Sequence, residues 1–119
     1  MHPVFTVPEI NPVEVARKIN SRDKFIFLDV REPMEFQMVR IDDPRMYFVP
    51  LTQLSAQGLA ALPDPAKEKD LEIIVFCHHG MRSAQVVIWL KQNGWQNPLN
   101  MIGGIDAYAR LADPAIGRY

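Results

Sequence analysis

The residues with the clearest chemical potential lie in one run, Cys77-His78-His79-Gly80-Met81-Arg82-Ser83. Cys77 is the single cysteine of the chain, and an ionised thiol is a strong nucleophile. It directly follows Leu71-Glu72-Ile73-Ile74-Val75-Phe76, whose apolar, β-branched character predicts a buried strand. Gly80 permits a tight loop, and Ser83 is expected to open a helix carrying Val86, Val87, Trp89 and Leu90 until Gly94 stops it. In a strand-loop-helix turn of this kind, backbone N–H groups converge on an anion, and their field favours negative charge on the sulfur. Arg82 adds a positive side chain beside the loop. A lone cysteine behind an apolar strand is otherwise an inert core thiol. Its His, Gly, Arg and Ser neighbours make little sense in a core and good sense around an anion.

Other chemistries fit this run less well. Three consecutive loop residues such as Cys77, His78 and His79 rarely all point at one ion, and the remaining histidine is His2, at the N-terminus. No metal and no cofactor is therefore expected. Imidazole titrates near neutrality, which opens a general-base role for His78 or His79. An ionised thiol needs no such base, so surface electrostatics or acceptor recognition are the other readings of the pair. Thirteen basic residues against fourteen acidic ones give a net charge of -1, and Lys67, Glu68, Lys69 and Asp70 alternate in sign. Nucleic acid is thus not an expected partner. The N-terminus lacks the basic and apolar regions of a secretory signal, no apolar run approaches a membrane span, and one cysteine forms no internal disulfide. A cytoplasmic protein without membrane contact is expected.

The elements that must position Cys77 follow from periodicity. A chain of 119 residues, 48% hydrophobic and 23% charged, is read as one domain over residues 1–119. Asn11, Pro12 and Glu14 form a capping-box start for a helix over residues 12–20, with Val13, Val15, Ala16 and Ile19 as its apolar positions. Residues 25–30 predict a strand covered on both faces. Tyr47-Phe48-Val49 predicts a shorter strand ended by Pro50, after which Thr52 is expected to cap a helix reaching about Leu62. Residues 98–102 predict the last strand, Gly103-Gly104 a turn requiring positive φ or close packing, and residues 106–111 a short helix. Residues 40–45 and 62–67 read as loops. Residues 112–119 read as a non-helical tail, with Tyr119 either docked or frayed. Trp89 and Trp95 are read as packing residues, as are Met34, Phe36, Met38 and Met46, for which a partner surface is the other reading. Alternating strands and helices predict an α/β fold of three layers, with a central, mostly parallel five-stranded sheet flanked by helices. Such sheets bind ligands at the carboxyl ends of their strands, where Asp29 to Glu32 and Cys77 to Ser83 both fall.

Three segments, in this order and at this spacing, give the chain a resemblance to the single-domain rhodanese-like sulfurtransferase family. They are Phe27-Leu28-Asp29-Val30-Arg31-Glu32, the Cys77 to Ser83 run, and Met101-Ile102-Gly103-Gly104-Ile105-Asp106-Ala107-Tyr108. The resemblance implies that Cys77 attacks the outer sulfur of an anionic donor such as thiosulfate, releases sulfite and becomes a persulfide. An external acceptor (cyanide, a small thiol or a protein thiol) then takes the sulfur. Cys77 through Arg82 is six residues, the loop length that in this family accompanies sulfur transfer; its phosphatase-like relatives carry one residue more. The resemblance also places Asp29, Arg31 and Glu32 beside the active loop. Asp29 or Glu32 would pair with Arg82 or accept loop N–H bonds, Arg31 would attract the donor, and Arg82 would bind the donor or brace the loop. Gln37-Met38-Val39-Arg40-Ile41 departs from the family pattern, lacking the glycine and histidine of its usual turn. Two rival functions remain on the sequence alone: a non-catalytic binding or sensor module of this fold, and a sulfur carrier loaded by a partner protein.

Overall fold

The computed structural model describes residues 6–119, so His2 and the first five residues of the stretch read for a signal lie outside the described residues. Five strands, β1 (Glu9–Ile10), β2 (Ile26–Asp29), β3 (Met46–Phe48), β4 (Ile73–Phe76) and β5 (Pro98–Met101), form one sheet in the order β1-β5-β4-β2-β3. Every pairing is parallel. All residues of β2 and β4 are buried, which is why both read as unbroken apolar runs rather than alternating ones. The strand period of two sends their side chains to two cores. Ile26, Leu28, Ile73, Val75 and Cys77 pack with Leu54 of α3 (Leu51–Gln57) and with Val86, Val87 and Leu90 of α4 (Met81–Gln92). On the other face Phe27, Ile74 and Phe76 meet Val15 of α1 (Pro12–Ile19) and Ile105 and Tyr108 of α5 (Gly104–Leu111). The result is the three-layer α/β arrangement, with each fully buried aliphatic or aromatic side chain contributing roughly 1.5–3 kcal/mol of transfer free energy.

Helix boundaries depart from the sequence expectations for local reasons. Asn11 accepts the Glu14 N–H at 2.9 Å, but the Glu14 carboxylate turns to Arg17 instead of completing the box. α3 starts at Leu51 behind Pro50 rather than at a Thr52 cap, and continues as a 3-10 turn, Gly58–Ala61. α4 begins at Met81, two residues before the expected Ser83, because Gly80 at φ +97° closes the loop at once. Met81 and Arg82 therefore ride on the first helical turn. α5 likewise begins at Gly104 instead of Asp106, behind Gly103 at φ +73°.

Two elements were not foreseen: β1, which is two residues long, and α2 (Pro33–Met38). Glu32, with Pro33 next at a first-turn position, starts α2, and the Glu35 carboxylate accepts the Glu32 N–H at 3.1 Å. Past α2, the segment that lacks the family's glycine and histidine turns inward and buries Val39 and Ile41. The residues weighed as a partner surface divide: Met34 and Met38 are exposed, while Phe36 stacks on Phe48 and Met46 packs on the core. Trp95 is buried and donates its indole N–H to the Ala66 carbonyl at 2.8 Å. The tail expected to be non-helical contains one 3-10 turn, Pro114–Ile116, started by Asp113 accepting the Ala115 N–H. Among the described residues no helix is long and apolar enough to cross a membrane.

Candidate active site

Cys77 leaves the carboxyl end of β4 with only 1% of its surface exposed. Its Sγ accepts the N–H of Gly80 at 3.1 Å and the N–H of Ser83 at 3.4 Å, and lies 3.3 Å from Ser83 Oγ. The reverse side of the loop is equally committed. The carbonyls of Cys77 and His78 accept the N–H groups of Ile105 and Asp106 at 2.9 and 3.1 Å. With its carbonyls fixed outward on the first turn of α5, the loop turns N–H groups inward to the sulfur. Gly104, at φ +65°, makes this approach possible, since a methyl group there would collide with the carbonyl oxygens of Cys77 and His78. The late glycine pair and the cysteine loop are thus one packed unit.

Behind the loop runs a chain of ion pairs and hydrogen bonds. Both terminal nitrogens of Arg82 bond to the Glu35 carboxylate, at 2.6 and 2.9 Å, a bidentate geometry that fixes the guanidinium plane. Tyr119 donates its hydroxyl to the same carboxylate at 2.8 Å and accepts from Arg31 at 3.1 Å. Arg31 is fully buried; it spends its other donors on Asp29 (2.8 Å at the closest) and on the carbonyls of Glu35 and Val39. The Arg82 guanidinium beside Glu35 holds that carboxyl down to about 2, against the opposing effect of burial. Arg82 is raised above its usual range chiefly by the same pair. Burial, helped by Glu35, pushes the Tyr119 phenol up to about 12.

These contacts correct three expected roles. Arg82 pairs with Glu35, not with Asp29 or Glu32. Asp29 instead accepts from the Arg31 N–H and guanidinium. Glu32 accepts from the Thr52 hydroxyl at 2.6 Å, tying the start of α2 to α3. Arg31, buried and saturated with acceptors, holds β2, α2 and Tyr119 together rather than facing a donor in solvent.

The two histidines differ. His78 stacks on the Tyr119 ring with centroids 3.9 Å apart and an interplanar angle of 11°, and its Nε2 lies 3.0 Å from the Tyr119 carbonyl. Burial, then the neighbouring His79, lowers its pKa. His79 is 63% exposed and reaches no closer than 4.0 Å to Asp106, whose carboxylate also accepts from Arg110 and Arg118. Met81 points outward at 79% exposure. Among the described residues no three His, Cys, Asp or Glu side chains gather to hold a metal ion.

Sequence reasoning missed Glu35, Tyr119 and Asn100. Glu35 sits three residues beyond Glu32 on a helix too short to show a period. Asn100 is a polar residue amid the apolar Pro98-Leu99-Asn100-Met101 of β5, and that mismatch was its available signal. Its amide donates to the Gly80 carbonyl at 3.1 Å, and its oxygen accepts from the Ser83 hydroxyl at 2.6 Å. Nothing local marks Tyr119.

The rhodanese-like domain family matches residues 11–111. Over 111 residues the chain is 32% identical to the probable adenylyltransferase/sulfurtransferase MoeZ of Mycobacterium tuberculosis, covering 92% of this chain but only 26% of that protein. The chain therefore spans about a quarter of that relative's length. It is 27% identical to a sulfurtransferase of Allochromatium vinosum, covering 92% of this chain and 95% of that one. Among solved structures, a rhodanese-like domain protein from Staphylococcus aureus superimposes with a TM-score of 0.71 at 25% identity, covering 95% of this chain and 99% of that one. Sequence family, superposition and the all-parallel sheet carrying Cys77 on its loop agree: this chain belongs to the rhodanese-like domain family.

Proposed function

We propose that the domain is a sulfurtransferase that carries sulfane sulfur as a Cys77 persulfide. The observation that carries this reading is the convergence of the Gly80 and Ser83 N–H groups on Cys77 Sγ. Donors fixed in advance stabilise negative charge on sulfur without reorganising during reaction. After the Cys77 proton leaves to solvent, the thiolate attacks the outer sulfur of thiosulfate or a related anionic donor. A new S–S bond forms, the donor's S–S bond breaks, and sulfite departs with the bonding pair. The acceptor, cyanide or an external thiol, then attacks the outer persulfide sulfur and returns the electron pair to Cys77. No second cysteine exists to discharge the persulfide internally, so the acceptor comes from outside. A single free thiol with no disulfide accords with a reducing, cytoplasmic setting. The name of the Allochromatium vinosum relative, aligned over nearly its whole length, supports the same chemistry.

Intact mass of the reduced protein before and after thiosulfate, and again after cyanide, tests this. A gain of one sulfur atom, lost to cyanide and absent in Cys77→Ala, is expected. No gain with folded protein would reject thiosulfate as donor. Loading by a protein persulfide under those conditions would favour the carrier reading, and no loading from either source would favour a non-catalytic module.

A further inference from the structure

The inference concerns the hydrogen on Ser83 Oγ, and rests on the reading of Cys77 as the nucleophile. The Gly80 carbonyl can only accept, so the Asn100 atom facing it at 3.1 Å is the amide nitrogen. The other end of that amide is then oxygen, which also can only accept. Ser83 Oγ lies 2.6 Å from it, a separation between two oxygens that requires a hydrogen between them. A hydroxyl has one hydrogen, and this one is committed to Asn100. What Ser83 turns toward Cys77 Sγ, 3.3 Å away, is a lone pair.

We propose that Asn100 is a positioning residue for the sulfur chemistry: by taking the Ser83 hydroxyl hydrogen, it leaves Ser83 as an acceptor for the Cys77 S–H and so restrains the resting nucleophile. The loop N–H groups of Gly80 and Ser83 favour a negative sulfur, and the Asn100–Ser83 relay opposes them with one lone pair. The arrangement is buried: Ser83 is fully shielded and Asn100 is 5% exposed, so no water is at hand to reverse the hydrogen's direction. Cys77 thereby stays a hydrogen-bonded thiol until a donor arrives, and adventitious electrophiles find it less reactive. The charged group whose field reaches Cys77 is Arg82, itself held by Glu35; neither side chain is altered in the test.

The rate of Cys77 alkylation by iodoacetamide is measured against pH in the unloaded protein, a readout of the thiol alone that does not depend on sulfur transfer. Ser83→Ala removes the lone pair while leaving the Asn100–Gly80 bond, and the midpoint of the profile is expected to fall. A rise would show that the hydroxyl donates to sulfur, and an unchanged midpoint would show no coupling; either overturns the proposal. Asn100→Leu frees the hydroxyl to donate to the sulfur, and the midpoint is expected to fall by about one pH unit. In the Ser83→Ala background the same substitution is expected to shift nothing. An equal shift in both backgrounds would place the effect in the loop backbone and reject the relay. Should Asn100→Leu fail to fold, the sign of the Ser83→Ala shift decides alone.

Discussion

Three donors meet on the Glu35 carboxylate besides its own helix: two from Arg82 and one from Tyr119. Replacing Glu35 with Gln removes the charge and one acceptor, and is expected to cost about 1–2 kcal/mol in denaturant unfolding after allowance for partial exposure. The pH dependence has a definite sign. A carboxyl held at about 2 when folded, against an ordinary 4.5, contributes stability that is complete above about pH 4.5 and is lost as pH falls toward 2. Acid unfolding of Glu35→Gln should accordingly be shallower across that window than that of the unaltered protein; parallel curves would contradict the pair. Cys77 and its loop were legible because their residue types have so few other uses together. The partner of Arg82 was not. Asp29 and Glu32 stand in the recognisable motif, but Asp29 is consumed by Arg31 two residues on, and only the turn of α2 brings Glu35 across.

At the scale of elements, the catalytic loop is held by two helix starts, α4 following it and α5 behind it. Gly104→Ala is expected to leave the sheet intact by circular dichroism while lowering both stability and the alkylation rate of Cys77. The added methyl displaces the carbonyls of Cys77 and His78 from the α5 amides, at a cost of about 1–3 kcal/mol. Unchanged reactivity would show that the loop does not depend on this packing. The buried strands β2 and β4 were readable from composition alone, since burial on both faces demands apolar residues throughout. The helix starts were misplaced by one or two residues because a glycine at positive φ lets a helix begin immediately, where side-chain capping rules look for Ser, Thr or Asp. β1 and α2 were invisible for a different reason: two and six residues carry too little periodicity to be told from loop.

For the molecule as a whole, the chain's last described residue closes on its middle. Tyr119 bridges Arg31 and Glu35 and covers His78, so a contact between residues 88 positions apart joins β2, the catalytic loop and the tail. No local pattern encodes such closure, which is why the tail was left between docking and fraying. Tyr119→Phe keeps the stacking but loses the bridging hydroxyl; a stability loss of about 1 kcal/mol is expected in denaturant titration, with Cys77 still loaded by thiosulfate. The position of Tyr119 also bears on how the domain can be joined to others. Its carbonyl lies 3.0 Å from His78 Nε2, so a polypeptide attached there departs from the lip of the catalytic loop. A thiol carried a few residues along such a tether would meet Cys77 at an effective concentration on the order of millimolar. Covalent linkage at this end of the chain would turn a bimolecular sulfur handover into an intramolecular one.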